Sequence, residues 1–141
     1  MILYLGTSSL VKLYTEEENS DAVRQWVKEA EIVATCRVAY TEVISALDLR
    51  FRQKDLSRSD YDRIVKKFSE DWLRLAIVDF DEREPGLYVK KYSLTRFDAI
   101  HLSAARLLKS GSYDISLLFS SADANLCKAA ATEGMRVLSF G

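Results

Sequence analysis

The chain has 141 residues, 48% hydrophobic and 29% charged, with one proline and five glycines. That suits a single domain over residues 1–141 with one core and leaves no room for a disordered linker or repeat array. Twenty Lys and Arg against 21 Asp and Glu give a net charge of −1, which excludes a protein that coats nucleic acid through bulk charge.

Met1 to Leu5 is apolar but only five residues long, and Gly6, Thr7, Ser8 and Ser9 follow at once. Neither a secretory signal nor a membrane span is predicted, so the expected location is cytoplasmic, away from any membrane. Cys36 and Cys127 lie outside any metal-type spacing and are expected to be free, buried thiols of a reducing compartment.

Ile2 to Leu5 reads as a buried strand, and Thr7 to Tyr14 as a helix capped by Thr7 or Ser8. Asn19 or Ser20 caps a second helix carrying Val23, Trp26, Val27 and Ala30. Ile32 to Thr35 is a second strand, and a helical pattern runs from Val38 to about Gln53. Ser57 or Ser59 opens a helix carrying Tyr61, Ile64, Val65, Phe68, Trp72 and Leu75. Ala76 to Phe80 is a third strand. Asp81 can cap the next helix, with Pro85 tolerated in its first turn. Phe97 to Lys109 is a strongly apolar helix stopped by Gly111. Ile115 to Ser120 is a fourth strand, Asp123 to Glu133 a helix closed by Gly134, and Met135 to Phe140 the last strand. Five short apolar strands alternating with helices predict an α/β fold, a short parallel sheet with helices on both faces. Ligands of such sheets collect at the carboxyl ends of the strands.

Three acids stand out because each shares a helical stripe with apolar residues. Glu42 lines up with Val38, Ala46 and Leu49, Asp98 with His101, Leu102 and Ala105, and Asp123 with Leu126, Cys127 and Ala130. If these stripes face the core, each carboxylate must be paired, protonated or bound to metal. Converging carboxylates suit Mg²⁺ or Mn²⁺; one His and no Cys pair argue against zinc. Each also has a plain structural reading. Asp123 could be an N-cap and Asp98 a complement to a helix dipole, whereas Glu42, read as mid-helix, gains nothing from capping. Between Arg50 and Lys67 seven basic residues (Arg50, Arg52, Lys54, Arg58, Arg63, Lys66, Lys67) face three acids, which reads either as a solvated helix face or as an RNA-facing arm.

Four motifs, in order, resemble those of the PIN domain family, specifically the VapC-type toxins of toxin–antitoxin pairs. They are Ile2-Leu3-Tyr4-Leu5-Gly6-Thr7-Ser8-Ser9-Leu10-Val11-Lys12-Leu13-Tyr14, Thr41-Glu42-Val43, Leu94-Thr95-Arg96-Phe97-Asp98-Ala99-Ile100-His101-Leu102 with Ala104-Ala105, and Ser120-Ser121-Ala122-Asp123-Ala124-Asn125-Leu126. The resemblance implies a single PIN-like ribonuclease domain, a Mg²⁺-dependent endoribonuclease that hydrolyses RNA phosphodiesters. It implies metal-site and catalytic roles for Glu42, Asp98 and Asp123. It implies ordering or phosphate contacts for Thr7, Ser8 and Ser121, and a backbone-phosphate contact for Arg96. It implies RNA as substrate, a cognate antitoxin as partner and a homodimer. His101 sits in the third motif as a core or supporting histidine rather than a ligand.

One position departs from the family pattern. The first acidic motif carries Asp directly before Thr-Ser, and here Gly6 stands in its place, at the carboxyl end of the first strand. Glycine brings no ligand atom, so impaired cleavage is expected. A chance inactivating change, a deliberate knock-out and a naturally degenerate member all fit; so does a glycine required by a positive-φ turn. Two other classes compete. One is a catalytically inactive PIN-fold protein that binds RNA or an antitoxin without cleaving. The other is a phosphate cradle made by Gly6-Thr7-Ser8-Ser9, which lacks both GxGxxG and a P-loop lysine.

Overall fold

In a computed structural model, residues 1–111 and 115–140 are described. Five strands, β1 (Ile2–Leu5), β2 (Ile32–Cys36), β3 (Ala76–Val78), β4 (Leu117–Ser120) and β5 (Arg136–Val137), form one sheet in the order β3-β2-β1-β4-β5. Every pairing is parallel. The helices are α1 (Thr7–Leu10), α2 (Ser20–Glu29), α3 (Ala39–Arg52), α4 (Arg58–Trp72), α5 (Arg83–Tyr92), α6 (Arg96–Ser110) and α7 (Ala124–Thr132).

Alternation along β1 divides the core. Ile2 and Tyr4 point to one face and pack with Ala34, Cys36, Leu117 and Phe119 beneath residues of α5, α6 and α7 such as Tyr88, Leu102 and Leu126. Leu3 and Leu5 point to the other, against Leu10, Val23, Val43, Leu47, Ile64 and Phe68 from α1 to α4. Helices therefore cover both faces, as a parallel sheet requires. The strand order runs outward from β1 in two directions, so β1 and β4 flank the switch point where ligands of open α/β sheets collect.

Several boundaries differ from the sequence reading. Residues 7–14 form one α-turn followed by a 3₁₀ turn, Val11–Leu13. The N-cap is Gly6 rather than Thr7 or Ser8: its carbonyl accepts from the N–H groups of Ser9 (3.1 Å) and Leu10 (3.0 Å), and the two hydroxyls go elsewhere. Asn19 holds the N-cap position of α2 but makes no capping bond with its side chain. The third strand stops at Val78 because Asp79 Oδ1 accepts from the Phe80 N–H (3.0 Å), taking it from the ladder. The last strand is only two residues long. Other cues hold: Ser57 accepts from Asp60 N–H, Asp81 Oδ1 accepts from the N–H groups of Arg83 and Glu84, and Gly134 has φ 88°.

Candidate active site

The acids and hydroxyls singled out above are carried at the carboxyl ends of β1, β2 and β4. Gly6, Thr7 and Ser8 follow β1, Glu42 lies in the first turn of α3 after β2, and Ser121 and Asp123 follow β4. Asp98 lies in the first turn of α6. Long-range hydrogen bonds tie these ends together. Thr7 Oγ1 donates to Glu42 Oε1 (2.8 Å), and His101 Nε2 lies 2.9 Å from the same oxygen and 3.0 Å from Thr7 Oγ1. Tyr4 OH meets His101 Nδ1 at 2.7 Å. Ser8 Oγ lies 3.2 Å from Ser121 Oγ and accepts from the Ala122 N–H (2.8 Å). Beneath them, Ser9 Oγ meets Ser120 Oγ (2.8 Å) and Thr35 Oγ1 donates to the Leu5 carbonyl (2.7 Å).

The three acids share one electrostatic neighbourhood. Burial pushes the Asp98 carboxyl above its ordinary range; the Thr95 hydroxyl and His101 oppose this, and the Asp123 and Glu42 carboxylates add to it. Burial likewise raises the Cys127 thiol, with Asp123 and Asp98 contributing. The acids are less enclosed than their apolar stripes implied: Glu42 and Asp98 are half-buried and Asp123 is exposed. Glu42 is also not mid-helix. The core face of α3 is Ala39, Val43 and Leu47, whereas Val38, Glu42, Ala46 and Leu49 line an open groove of about 610 Å³ with Phe97. Asp123 does serve as an N-cap, its Oδ1 accepting from the Leu126 N–H at 2.8 Å.

Glycine is not demanded at position 6. Its φ of −67° and ψ of 163° are ordinary extended backbone, which removes the positive-φ reading. A Cβ there would lie 3.5 Å from the Ser120 carbonyl oxygen and the Ser121 Cβ, and 3.7 Å from Ser121 Oγ, all normal contacts. A larger side chain therefore has room to start between the ends of β1 and β4.

Oxygen donors of this kind match a hard divalent cation. Among the described residues, however, no three Asp, Glu, His or Cys side chains stand close enough to enclose a metal ion by themselves. Mg²⁺ ordinarily keeps several waters and uses one or two protein carboxylates, so an open arrangement suits it better than a closed cage would.

The basic stretch is largely neutralised. Arg50 pairs with Glu17, Arg52 with Asp48, Arg58 with Asp62, Arg63 with Asp60 and Lys67 with Asp71, which takes up most of the local excess counted from sequence. Arg96, by contrast, is exposed at the start of α6, two residues from Asp98. Cys36 and Cys127 are free; Cys36 is buried and Cys127 only half-buried. Sequence reasoning missed Tyr4 and Thr35, whose one available signal was a hydroxyl within an otherwise apolar strand.

Residues 3–132 match the PIN domain family, and the chain belongs to it. Within that family it is similar to the ribonuclease VapC45 of Mycobacterium tuberculosis, at 28% identity over 107 residues, 74% of each chain. Its fold is that of FitAcB from Neisseria gonorrhoeae (TM-score 0.66, 16% identity, 99% of this chain and 98% of that one). It is also that of VapBC2 from Rickettsia felis, solved bound to a DNA fragment from its promoter (TM-score 0.61, 13% identity, 98% of both chains). Among the described residues no helix is long and apolar enough to cross a membrane.

Proposed function

We propose that this chain is a metal-dependent endoribonuclease of the VapC type, the toxin of a toxin–antitoxin pair, and that it cleaves RNA poorly as it stands because position 6 carries no carboxylate. The observation that carries the reading is the shared field of Asp98, Asp123 and Glu42 at the switch point of a PIN-fold sheet. Glu42, Asp98 and Asp123 are the residues that would hold Mg²⁺ or Mn²⁺. When bound, such an ion supplies a more acidic water and a counter-charge for the scissile phosphate. Thr7 and His101 hold the Glu42 carboxylate in place. Ser8 and Ser121 fix the two strand ends against each other, and Arg96 offers an exposed guanidinium to a flanking phosphate. The FitAcB and VapBC2 similarities support a protein partner, assigned as a cognate antitoxin; a homodimeric state and a cytoplasmic location are part of the proposed VapC-type reading and do not rest on those structures.

The second reading, a PIN-fold protein that grips RNA or an antitoxin without cutting, is favoured by two observations: the missing ligand at Gly6 and the absence of a closed acidic cluster among the described residues. One experiment separates them. Total RNA is incubated with the chain and with its Gly6→Asp and Gly6→Asp/Asp98→Asn variants, with Mg²⁺ or with EDTA. The ribonuclease reading expects metal-dependent cleavage by Gly6→Asp that disappears with Asp98→Asn. Binding without cleavage by every form would support the second reading.

A further inference from the structure

Among the described residues, Phe97 is the one aromatic side chain that is exposed, at 42%. It belongs to neither cluster of the core. A single exposed apolar residue is ordinary on a protein surface. The place of this one is not ordinary. It stands between Arg96 and Asp98 in the first turn of α6, and its side chain lines the groove that runs along α3 past Glu42.

The groove suits a flat, uncharged ligand. Its α3 wall, from Val38 to Leu49, is roughly 16 Å long at the helical rise per residue. Val38, Ala46 and Leu49 make that wall apolar, and Leu49 is as open to solvent as Phe97. Thr41 and Ser45 add two exposed hydroxyls, each able to donate and to accept. Glu42 is the one charged residue of the lining among the described residues, so a phosphate finds no counter-charge there and meets a carboxylate that repels it. A nucleobase meets neither obstacle. Glu42 also belongs to the acid group at the strand ends, so the groove is continuous with the candidate site. An RNA phosphate held at those acids leaves its adjoining nucleotide beside α3. That continuity favours an RNA base over a protein segment as the occupant.

We propose that Phe97 is a base-binding residue: its ring stacks on the nucleobase next to the scissile phosphate, the base lies against Ala46 and Leu49, and Thr41 and Ser45 meet its polar edge. Three consecutive residues then divide the nucleotide between them, Arg96 facing phosphate, Phe97 the base and Asp98 the metal. Every base has a π-face, so the ring supplies affinity, and base preference comes from the two hydroxyls. The inference rests on the ribonuclease reading of the acids.

The test uses two ligands with the same phosphates: a short mixed-sequence single-stranded RNA and a strand of equal length built from abasic spacers. Filter binding is measured at several salt concentrations for the chain, Gly6→Asp, Phe97→Ala, Phe97→Leu and Phe97→Trp. Phe97→Ala and Phe97→Leu should bind the RNA about 10-fold more weakly, as expected for one lost base stack. Phe97→Trp should keep the affinity. The abasic strand should bind all forms alike, and the salt slope should not change, because no phosphate contact is lost. Equal RNA affinity in Phe97→Ala and the unaltered chain overturns the base site, as does full affinity in Phe97→Leu or an equal loss on the abasic strand. Sedimentation showing a dimer that becomes a monomer in Phe97→Ala, with RNA affinity unchanged, assigns the groove to a second copy and likewise overturns it. Failure of both the chain and Gly6→Asp to bind either strand overturns the ribonuclease reading, and the base site falls with it.

Discussion

Ser8 Oγ and Ser121 Oγ, 113 residues apart, lie 3.2 Å from each other and join the end of β1 to the end of β4 beside position 6. Ser8 also accepts from the Ala122 N–H. Replacing Ser8 by Ala removes both bonds in a partly buried place and should cost about 1 kcal/mol in urea denaturation. Ser121→Ala should be coupled to it, so the double variant loses less than the sum of the single losses. Strict additivity would mean that the two hydroxyls do not act together.

Asp98 gives a pH signature of known sign. Its carboxyl lies above the ordinary range because burial, reinforced by Asp123 and Glu42, outweighs the opposing Thr95 hydrogen bond and His101. The native state therefore binds a proton more tightly than the unfolded chain, and stability falls as pH rises through the window between the unfolded and folded values. Above that window the metal-free chain carries the full penalty; below it the penalty is gone. Asp98→Asn should accordingly raise metal-free stability at neutral pH, on the order of 0.5 kcal/mol for a half-exposed, solvent-screened charge. The gain should vanish at acidic pH. Thermal melts of both forms at pH 7 and pH 3 check this, and an equal difference at both pH values would contradict it.

Phosphate contacts should come from the site rather than from the basic stretch. Arg52 and Arg58 already face Asp48 and Asp62. Their replacement by Ala should change RNA binding little, because the charge of each arginine is already offset by one neighbouring acid. Arg96→Ala should weaken binding about equally for different sequences and lower the salt slope by about one. Filter binding at several salt concentrations measures both. A larger loss from Arg52 and Arg58 than from Arg96 would restore the basic arm as the RNA surface.

The sheet was legible because β1 is fully buried and β2 and β4 are mostly so, so each appears as a short, mainly apolar run. The edge strands were overdrawn: nothing apolar marks where Asp79 takes a neighbouring N–H for itself. Helical spacing put Val38, Glu42, Ala46 and Leu49 on one stripe, but α3 carries a second stripe, Ala39, Val43 and Leu47, and spacing alone does not say which one meets the sheet. The acids of the candidate site were readable from motif order. Of their supports, Thr7 and His101 were readable in the motifs but Tyr4 was not, since Tyr4 and His101 lie 97 positions apart and meet only after the sheet forms.

The central claim is that position 6 lacks a ligand rather than serving a turn. The backbone there is ordinary, and a Cβ fits. Aspartate would regain roughly 0.5–1 kcal/mol of backbone entropy relative to glycine, offset by repulsion from Asp98, Asp123 and Glu42. Metal-free stability should therefore change little, while metal affinity should not stay level. The most direct measurement is calorimetric titration of Mn²⁺ into the chain and its Gly6→Asp variant, with cleavage of total RNA followed in parallel. The account predicts at least about 10-fold tighter binding by Gly6→Asp, in line with the losses caused by disturbing groups around metal ligands, together with faster cleavage. Equal affinity and equal cleavage by the two forms would contradict it.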